Sequence, residues 1–527
     1  MKSFFQTMPP RNFRVAACLL VALTAFLTYR ACLQNDFTGS DSLTLIQSGR
    51  VQTVGDLAAI FSRRMMSGTT FEGVFYRPVS VLSFQLDYLM WGANPWGYHL
   101  TDLMLHVLVT VGTFLLGMRL TKGMWKTSLG AAFLFTSHPL LVETVPAIAR
   151  RQDILEALFL ILAFQFYLRD QGGAKKWNRA ASWGFFILAL GTKETAILIP
   201  GLVFFHALVF SEGFGRRARW RWKESILTTL PYLLICFLYL AWRLHVLGEL
   251  GEDRSELSPL WITAHYFCGL LYPQNFLSLK HGPRAVAVLA VLVPVLVFLA
   301  VTFTGSMRSH RDSGNLPLYF LLVMWVLLPL PILVLTGSFA YRSLYSTVVP
   351  FSLLLSVVLA KGLGRLWTMR ASGRVSWNQL TAREFFIGGL VACTGFLAAS
   401  LVAFTPLIRD YPQWRESGMV SRQMLALLDE NLDRFPRNAV LNINGLPEVS
   451  PPTTIFSVRG THSVSYLRDY SIQSWLDLRD DSRGLKVVMG NTHEVLPGSL
   501  DLDLQINHIT NDYVDVTFVW NVPGLSP

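Results

Sequence analysis

The feature that most constrains this chain is a series of long apolar segments. Many of them approach about 20 residues, the length that a helix needs to cross a bilayer. The chain is 52% hydrophobic and 15% charged, which is too apolar for an ordinary soluble domain. We therefore predict a polytopic α-helical membrane protein with about eleven transmembrane helices. They run over residues 13–33, 98–118, 127–148, 152–168, 180–192, 195–211, 225–246, 285–305, 316–335, 343–363 and 384–405.

The basic residues predict which loops face the cytoplasm. Lysine and arginine are concentrated before the first predicted span and after the second, fourth and sixth, as is typical of cytoplasmic loops. Interpreting the apolar residues 257–278 as an interfacial or re-entrant segment keeps this pattern. The amino terminus is then cytoplasmic, while a first loop over residues 35–97 and the carboxyl terminus lie outside. Because the charge of +11 is scattered over loops, it predicts membrane anchoring and no nucleic-acid partner.

Two regions outside the predicted spans carry secondary-structure signals of their own. Residues 54–66 form an amphipathic stretch that could lie flat on the membrane, and Pro78 opens a predicted helix. In the tail, residues 413–436 have helical spacing, and TTIFSV, LKVVMG and YVDVTFVW alternate as strands do. We predict a transmembrane domain over residues 1–406 and a small extracytoplasmic α/β domain over residues 407–527.

The segment HPLLVETVPAIARRQDILEALF, residues 138–159, places a glutamate, two arginines and an aspartate within apolar sequence. A charge at the bilayer centre costs about 2.5–3.5 kcal/mol on insertion scales. We therefore predict that residues 138–149 are the outer half of the third span and that Asp153 starts the fourth. Polar residues gathered at one membrane face are typical of an enzyme or transporter working at that interface.

Several segments follow one another in an order that resembles a known family. They are NDFTGSDSLTLI, YRPVSVLSFQLDYLMWGANPWGYHLTDLMLH, HPLLVETVPAIARRQDILEALF, GTKETAILIP and YRSLYSTVVP. Over residues 13–410 the chain resembles the GT-C membrane glycosyltransferases, and within them the protein O-mannosyltransferase-like branch that includes the transmembrane and tetratricopeptide-repeat mannosyltransferases. The tail lacks those repeats. The resemblance implies a GT-C-like bundle. It also implies inverting transfer of mannose or a similar hexose from a polyprenyl-phosphate carrier to a hydroxyl, expected on a protein, at the outer face.

The resemblance implies that Asp41 is the catalytic base, because the family's catalytic acid lies in the loop after the first span. An acceptor hydroxyl is a poor nucleophile and needs a carboxylate to orient it and take its proton. The family usually carries adjacent acids there, whereas Asp41 is flanked by Ser40 and Ser42. By spacing alone, Asp41 would instead cap the helix that starts near Ser42.

Glu143 and Asp153 form a second predicted acidic site. In GT-C enzymes, acids between the third and fourth spans help build the catalytic face, and some members use a divalent metal there. Asp41, Glu143 and Asp153 together could hold such a cation, while salt bridges to Arg150 or Arg151 would explain the acids equally well. Mannosyltransferase-like relatives generally act without metal, so no cofactor is predicted and a divalent metal remains the alternative.

Departure of polyprenyl phosphate requires positive charge beside the developing phosphate dianion. The topology places four candidate phosphate-binding cations outside: Arg342, Lys193, Arg77 and Arg151. Lys193 and Glu194 match the family's Lys-Glu pair. Arg342 matches the arginine of its Arg-Tyr-x-Tyr motif, with Tyr345 in support, although the usual preceding acid is absent. Each cation could instead be a snorkelling side chain at the membrane boundary.

Other polar residues within the apolar regions have weaker signals. His138, beside Pro139, is expected to pack or to bond the backbone in support of the site. Asp102 and His106 share one helix face and are predicted to form a buried hydrogen bond. Tyr272, Pro273 and His281 are further candidates for contact with donor or acceptor.

Two alternatives to a protein O-mannosyltransferase remain. A related enzyme would glycosylate a lipid or an envelope polysaccharide, and a transporter or flippase would move the lipid-linked sugar. The charges at one face and the lack of an internal repeat favour an enzyme. Because NVPGLSP carries no retention signal, we expect a bacterial inner membrane with a periplasmic tail rather than the endoplasmic reticulum.

Overall fold

A computed structural model describes residues 10–39, 41–51, 53–71, 73–171, 176–210, 218–248, 257–271, 316–371, 395, 399, 412–445, 467–479, 483–491 and 501–521. This part of the chain is mainly helical. The first helices are α1 (Arg11–Tyr29), α2 (Ser42–Gly49), α3 (Val54–Ala59), α4 (Pro78–Trp91), α5 (Pro95–Leu120), α6 (Trp125–Thr136) and α7 (Arg151–Gln171). Next come α8 (Trp177–Thr192), α9 (Ile199–Phe210), α10 (Ala218–Leu247), α11 (Pro259–Leu271), α12 (Leu316–Leu327), α13 (Pro329–Thr336) and α14 (Tyr345–Ala371). Short 3₁₀ turns cover Arg30–Gln34, Pro139–Glu143, Ile148–Arg150, Glu194–Leu198 and Tyr341–Leu344.

Five helical segments in the described part are long and apolar enough to cross a membrane. They are Arg11–Gln34, Pro95–Leu120, Trp222–Leu247, Leu316–Thr336 and Tyr341–Gly364. Each overlaps a predicted span, so the prediction of a mostly helical protein with membrane-spanning helices is confirmed. The predicted spans at 285–305 and 384–405 fall outside the described residues, apart from 395 and 399. The count of eleven therefore stays a prediction.

The third predicted span is wrong in its second half. Helix α6 has 12 residues and ends at Thr136, which gives a length of about 18 Å. Residues 138–149 do not extend it as a helix but form two 3₁₀ turns. Pro139 and Pro146 lack the N–H that a helix interior requires, and each disfavours the helical conformation of the residue before it. Glu143 therefore lies on a turn rather than inside a span.

Helices α5, α6, α7 and α14 form the packed centre of the bundle, with buried aromatic rings such as Phe135 and Phe164 between them. Small residues permit the close approach. A Cβ added at Gly117 of α5 would lie 2.9 Å from a Leu353 methyl of α14, and one at Gly130 of α6 would lie 2.9 Å from the Ser356 Oγ. Such contacts between small residues are the usual means by which membrane helices pack tightly.

Most of the helices and strands predicted in the first loop and the tail are present in the structure. Helix α4 begins at the predicted Pro78 and ends before Gly92. The amphipathic stretch is helical over only its first half, as α3. In the tail, α15 (Pro412–Asn431) matches the predicted helix. The predicted strands LKVVMG and YVDVTFVW correspond to β2 (Lys486–Met489) and β4 (Tyr513–Asn521). The segment TTIFSV lies outside the described residues.

The tail contains a four-stranded mixed sheet in the order β2-β1-β4-β3. Strand β1 (Val440–Asn444) runs parallel to β2 and β4, and β3 (Asp501–Ile509) is antiparallel to β4. A further helix, α16 (Asp469–Asp477), packs on α2 of the first loop. Leu43 and Ile46 of α2 share one buried cluster with Ile472 and Leu476 of α16. The tail is thereby held over the loop that carries Asp41.

Candidate functional site

Asp41 directly precedes α2, yet its side chain does not cap that helix. No described amide of α2 donates a capping hydrogen bond to its carboxylate. Instead, the Tyr470 hydroxyl donates to Oδ1 at 3.2 Å, and the Arg150 Nη1 lies 3.9 Å from Oδ2. The alternative of a helix cap is therefore wrong. The carboxylate is 26% exposed, which leaves it within reach of a substrate.

Arg342 brings the predicted acids together. Its guanidinium interacts electrostatically with Asp153, Glu143 and Asp41, but its largest electrostatic neighbour is another cation, Arg150. We call these five residues the Arg342 cluster. Two adjacent guanidinium groups repel each other, and a bound anion would relieve that repulsion. The cluster therefore combines a pair of cations suited to phosphate with a partly exposed carboxylate.

Lys193 joins the Arg342 cluster through Asp153. Its Nζ contacts the Asp153 Oδ1, and both side chains are largely buried. Glu156 of α7 interacts with the same lysine and with the Ser346 hydroxyl. The sequence prediction missed Glu156, although its i, i+3 spacing from Asp153 places both on one face of α7. Lys193 thus balances the charge of two buried acids, Asp153 and Glu156.

Arg77 and Glu194 form a two-point ion pair. The Arg77 Nε donates to Oε2 at 3.0 Å and Nη2 donates to Oε1 at 2.8 Å, while the guanidinium carbon lies 3.9 Å from the centre of the Phe75 ring. Burial lowers the pKa of Arg77, but Glu194, Asp153 and Tyr239 together outweigh it and the pKa is raised. Arg77 is therefore engaged by Glu194 and also interacts electrostatically with Asp153 of the Arg342 cluster, and its role as a phosphate ligand stays a prediction.

Arg151 is buried between two carboxylates, and these contacts give no support to the prediction that it binds donor phosphate. Its side chain is fully buried, with Nε 2.5 Å from the Asp102 Oδ1 and Nη2 2.5 Å from the Asp87 Oδ2. It also donates to the carbonyl oxygens of Ser83 at 3.2 Å and Tyr98 at 3.3 Å. Burial raises the pKa of Asp87, and Arg151 opposes that rise. Four of the five N–H donors of this buried guanidinium are thus engaged within the protein.

The remaining predicted polar residues lie within the packed bundle. His138 accepts from the Leu140 amide through Nδ1, at 3.3 Å, so its Nε2 donates to the Leu270 carbonyl at 3.1 Å. This confirms the expected bond to the backbone. Asp102 and His106 do not bond each other, because Asp102 pairs with Arg151 and the His106 Nδ1 lies 2.7 Å from the Tyr345 hydroxyl. Tyr272, Pro273 and His281 lie outside the described residues.

The geometry does not support the alternative of a divalent cation held by Asp41, Glu143 and Asp153. Within the described ranges, no three His, Cys, Asp or Glu side chains come close enough together to hold a metal ion. Asp153 is occupied by Lys193, and Asp41 faces Arg150 and Tyr470. The described site thus places a partly exposed carboxylate beside the arginines Arg150 and Arg342.

Comparison with known proteins confirms the resemblance predicted from the sequence. The chain is 30% identical over 330 residues to Protein O-mannosyl-transferase Tmtc1 of Drosophila melanogaster, covering 55% of this chain and 37% of that one. It is 35% identical over 112 residues to Protein O-mannosyl-transferase TMTC2 of Homo sapiens, covering 21% and 13%. It is 33% identical over 206 residues to TMTC1 of Mus musculus, covering 35% and 21%. The matches thus span well under half of each relative. No family model matches the chain.

Solved structures give weaker likenesses. ArnT from Cupriavidus metallidurans, bound to undecaprenyl phosphate, is 13% identical with a TM-score of 0.46, covering 91% of this chain and 86% of that one. The oligosaccharyltransferase AglB from Archaeoglobus fulgidus, in complex with an inhibitory peptide and a dolichol-phosphate, is 13% identical with a TM-score of 0.40, covering 82% and 62%. These scores are too low to carry an argument. The curated relatives and the apolar helices support an integral membrane protein.

Proposed function

We propose that this chain is an inverting glycosyltransferase that moves mannose or a similar hexose from a polyprenyl-phosphate carrier to a hydroxyl of a protein. The observation that carries the proposal is the Arg342 cluster, in which two neighbouring guanidinium groups lie beside the partly exposed Asp41 carboxylate. The similarity to protein O-mannosyl-transferases supports the choice of sugar and acceptor.

In the proposed reaction, Asp41 accepts the proton of the acceptor hydroxyl. The acceptor oxygen bonds to the anomeric carbon of the sugar as the bond from that carbon to the phosphate oxygen breaks. The donor phosphodiester thereby becomes a phosphate monoester, which gains one negative charge. Arg342 and Arg150 stabilise that charge, because preorganised cations beside a developing anion lower the barrier without rearranging. Asp153 and Glu143 attract the Arg342 guanidinium, and Lys193 in turn contacts Asp153.

The proposal includes an arrangement in the membrane. We propose a GT-C-like bundle of about eleven transmembrane helices over residues 1–406 and an extracytoplasmic α/β domain over residues 407–527. Asp41 follows the candidate span Arg11–Gln34, and Arg342 lies at the start of the candidate span Tyr341–Gly364. Their proximity supports one shared active face, which we propose is the periplasmic face of a bacterial inner membrane.

The alternatives make different demands on the same residues. An enzyme that glycosylates a lipid or an envelope polysaccharide would use the Arg342 cluster unchanged and would differ in its acceptor. A transporter would depend on polar residues near the bilayer midplane. Asp102 is a polar residue within the apolar helix α5, but it is fully buried and paired with Arg151. The contacts of Asp102 therefore favour the enzyme.

Transfer by the purified full-length protein tests the proposal. The protein is reconstituted in liposomes with radiolabelled mannosyl-phosphoryl polyprenol and offered a peptide rich in serine and threonine, a glycolipid or a polysaccharide in separate reactions. We expect label on the peptide hydroxyls with inverted anomeric configuration. Label on a lipid or polysaccharide alone would change the acceptor class. Transport of the donor without transfer to any acceptor would overturn the proposal that the protein is an enzyme.

Replacing Arg342 with glutamine is expected to lower the transfer rate by about 100-fold, the scale on which loss of one group stabilising transition-state charge acts. Arg342→Lys should retain more activity, because it keeps the charge but loses the bidentate fork. The measurement is the initial transfer rate at saturating donor. Arg179→Gln is the matched control, because Arg179 is an exposed residue paired with Asp170. Equal activity of Arg342→Gln and Arg179→Gln would contradict the phosphate role.

A further inference from the structure

The tail contacts the predicted catalytic loop on both sides of Asp41. Gly418 of α15 lies against the loop before it, where an added Cβ would be 3.0 Å from the Asp36 amide nitrogen. Helix α16 packs on α2, which follows Asp41, and the Ser474 Oγ donates to the Thr44 Oγ1 at 3.1 Å. Gln47 also donates to the Asp477 Oδ2 at 2.8 Å. The position of the tail is thus coupled to the position of the carboxylate.

Within that interface, Tyr470 of α16 is the residue that reaches Asp41. Its hydroxyl donates to the Asp41 Oδ1 at 3.2 Å. Its ring stacks on Phe71 of the first loop, with centroids 4.7 Å apart and planes 22° from parallel. The stack fixes the ring, so the hydroxyl is presented to the carboxylate at a defined point. Arg150 approaches the other oxygen, Oδ2, at 3.9 Å.

Asp41 has the helical backbone angles φ −95° and ψ −13°, whereas a residue that caps a helix is typically extended. An aspartate at this position ordinarily turns its carboxylate toward the first amides of the helix, which would bury one oxygen in local hydrogen bonds. Here no such bond forms, and the carboxylate contacts the Tyr470 hydroxyl and Arg150 instead. It thereby stays beside Arg342, with which it interacts electrostatically.

We infer that the C-terminal domain completes the active site, with Tyr470 as a positioning residue that orients the Asp41 carboxylate for proton transfer. The inference rests on the proposed function and extends it by assigning a role to the tail. Tyr470 touches Asp41 rather than the reacting atoms, so it acts through the base. A domain far along the chain therefore controls the geometry of the general base in the first loop.

The test compares two variants that each remove one hydroxyl from the same helix. Tyr470→Phe keeps the ring that stacks on Phe71 and removes the hydroxyl that donates to Asp41. Ser474→Ala loses the hydrogen bond to Thr44 at the same interface, together with the bond from Ser474 to the Tyr470 backbone carbonyl within α16, and leaves the Tyr470 hydroxyl in place. We expect kcat of Tyr470→Phe to fall about tenfold with an unchanged KM for the donor, because a displaced base costs rate rather than binding. Ser474→Ala should stay within about twofold of the wild type.

The outcomes separate this inference from the function on which it rests. If the wild type transfers sugar and Asp41→Asn does not, but Tyr470→Phe matches Ser474→Ala, the positioning role is overturned while the proposed function stands. If the wild type transfers nothing to any acceptor, both the proposed function and the positioning role are overturned. A rise in donor KM without a change in kcat would also overturn the positioning role.

A second measurement distinguishes a completing contact from an inhibitory one. The Thr44 and Ser474 oxygens are 3.1 Å apart, so Thr44→Cys with Ser474→Cys is expected to form a disulfide on mild oxidation of the full-length protein. The cross-linked protein should keep at least about half of the activity of its reduced form, because the docked state is the active one. Failure to cross-link, or loss of activity on cross-linking that reduction restores, would overturn the inference.

Discussion

Asp41→Asn is expected to reduce sugar transfer by at least about 100-fold, since a positioned general base contributes about 10²–10⁴-fold. Asparagine has nearly the shape of aspartate and can still accept the Tyr470 hydrogen bond, but it cannot take the acceptor proton. Folding should be unaffected, because the Asp41 side chain does not cap α2. The initial transfer rate and the thermal unfolding midpoint, measured on the same preparation, test both parts.

The matched control for that variant is Asp56→Asn. Asp56 lies in the same loop, but it is committed to a capping box with Thr53 at the start of α3. Its replacement should leave the transfer rate within about twofold of the wild type, because surface changes away from the site have small effects. If Asp41→Asn keeps more than a tenth of the wild-type rate, or if Asp56→Asn is equally inactive, Asp41 is not the base.

Arg151→Met is expected to destabilise the protein by about 3–5 kcal/mol, the usual cost of breaking a buried ion pair by removing one partner. Methionine fills much of the space but leaves Asp102 and Asp87 as uncompensated buried charges. Thr101 still donates to Asp87 at 2.8 Å, whereas Asp102 has Arg151 as its ion-pair partner. The measurement is the unfolding midpoint of the detergent-solubilised protein relative to the wild type.

Two comparisons check the cause of that loss. Arg179→Met breaks an exposed pair with Asp170 and should cost less than about 1 kcal/mol. Adding Asp87→Asn and Asp102→Asn to Arg151→Met should recover part of the stability, because neutral amides no longer need a buried cation. An unfolding midpoint for Arg151→Met equal to that of Arg179→Met would show that the buried network contributes little.

Local signals in the sequence located the helices that could span the membrane. An apolar run of sufficient length is a property of consecutive residues, so α1, α5, α10 and α14 appear where the hydropathy places them. Pro78 at the start of α4 is equally local, because its fixed φ suits the first turn of a helix. The same reasoning failed after Thr136, where apolar composition outweighed the two prolines in the prediction.

The partners of the predicted phosphate-binding arginines could not be predicted from such local signals. Arg150 and Arg151 are neighbours in the sequence with the same chemistry, yet one belongs to the partly exposed Arg342 cluster and the other is fully buried between two carboxylates. The sequence signal is identical for both. Which one meets Asp102 depends on the packing of α5 against the start of α7, 49 positions away.

By itself, the sequence determined the helical membrane architecture, the resemblance to the protein O-mannosyltransferases and the loop that carries Asp41. The tertiary structure alone decided which acids and cations meet, that Asp41 turns away from α2, and that Tyr470 reaches it from 429 positions along the chain. The physical reason is that hydrophobic length and helix-starting residues act over a few neighbours. The role of a charged side chain, in contrast, depends on the partners that the folded chain brings within a few ångströms of it.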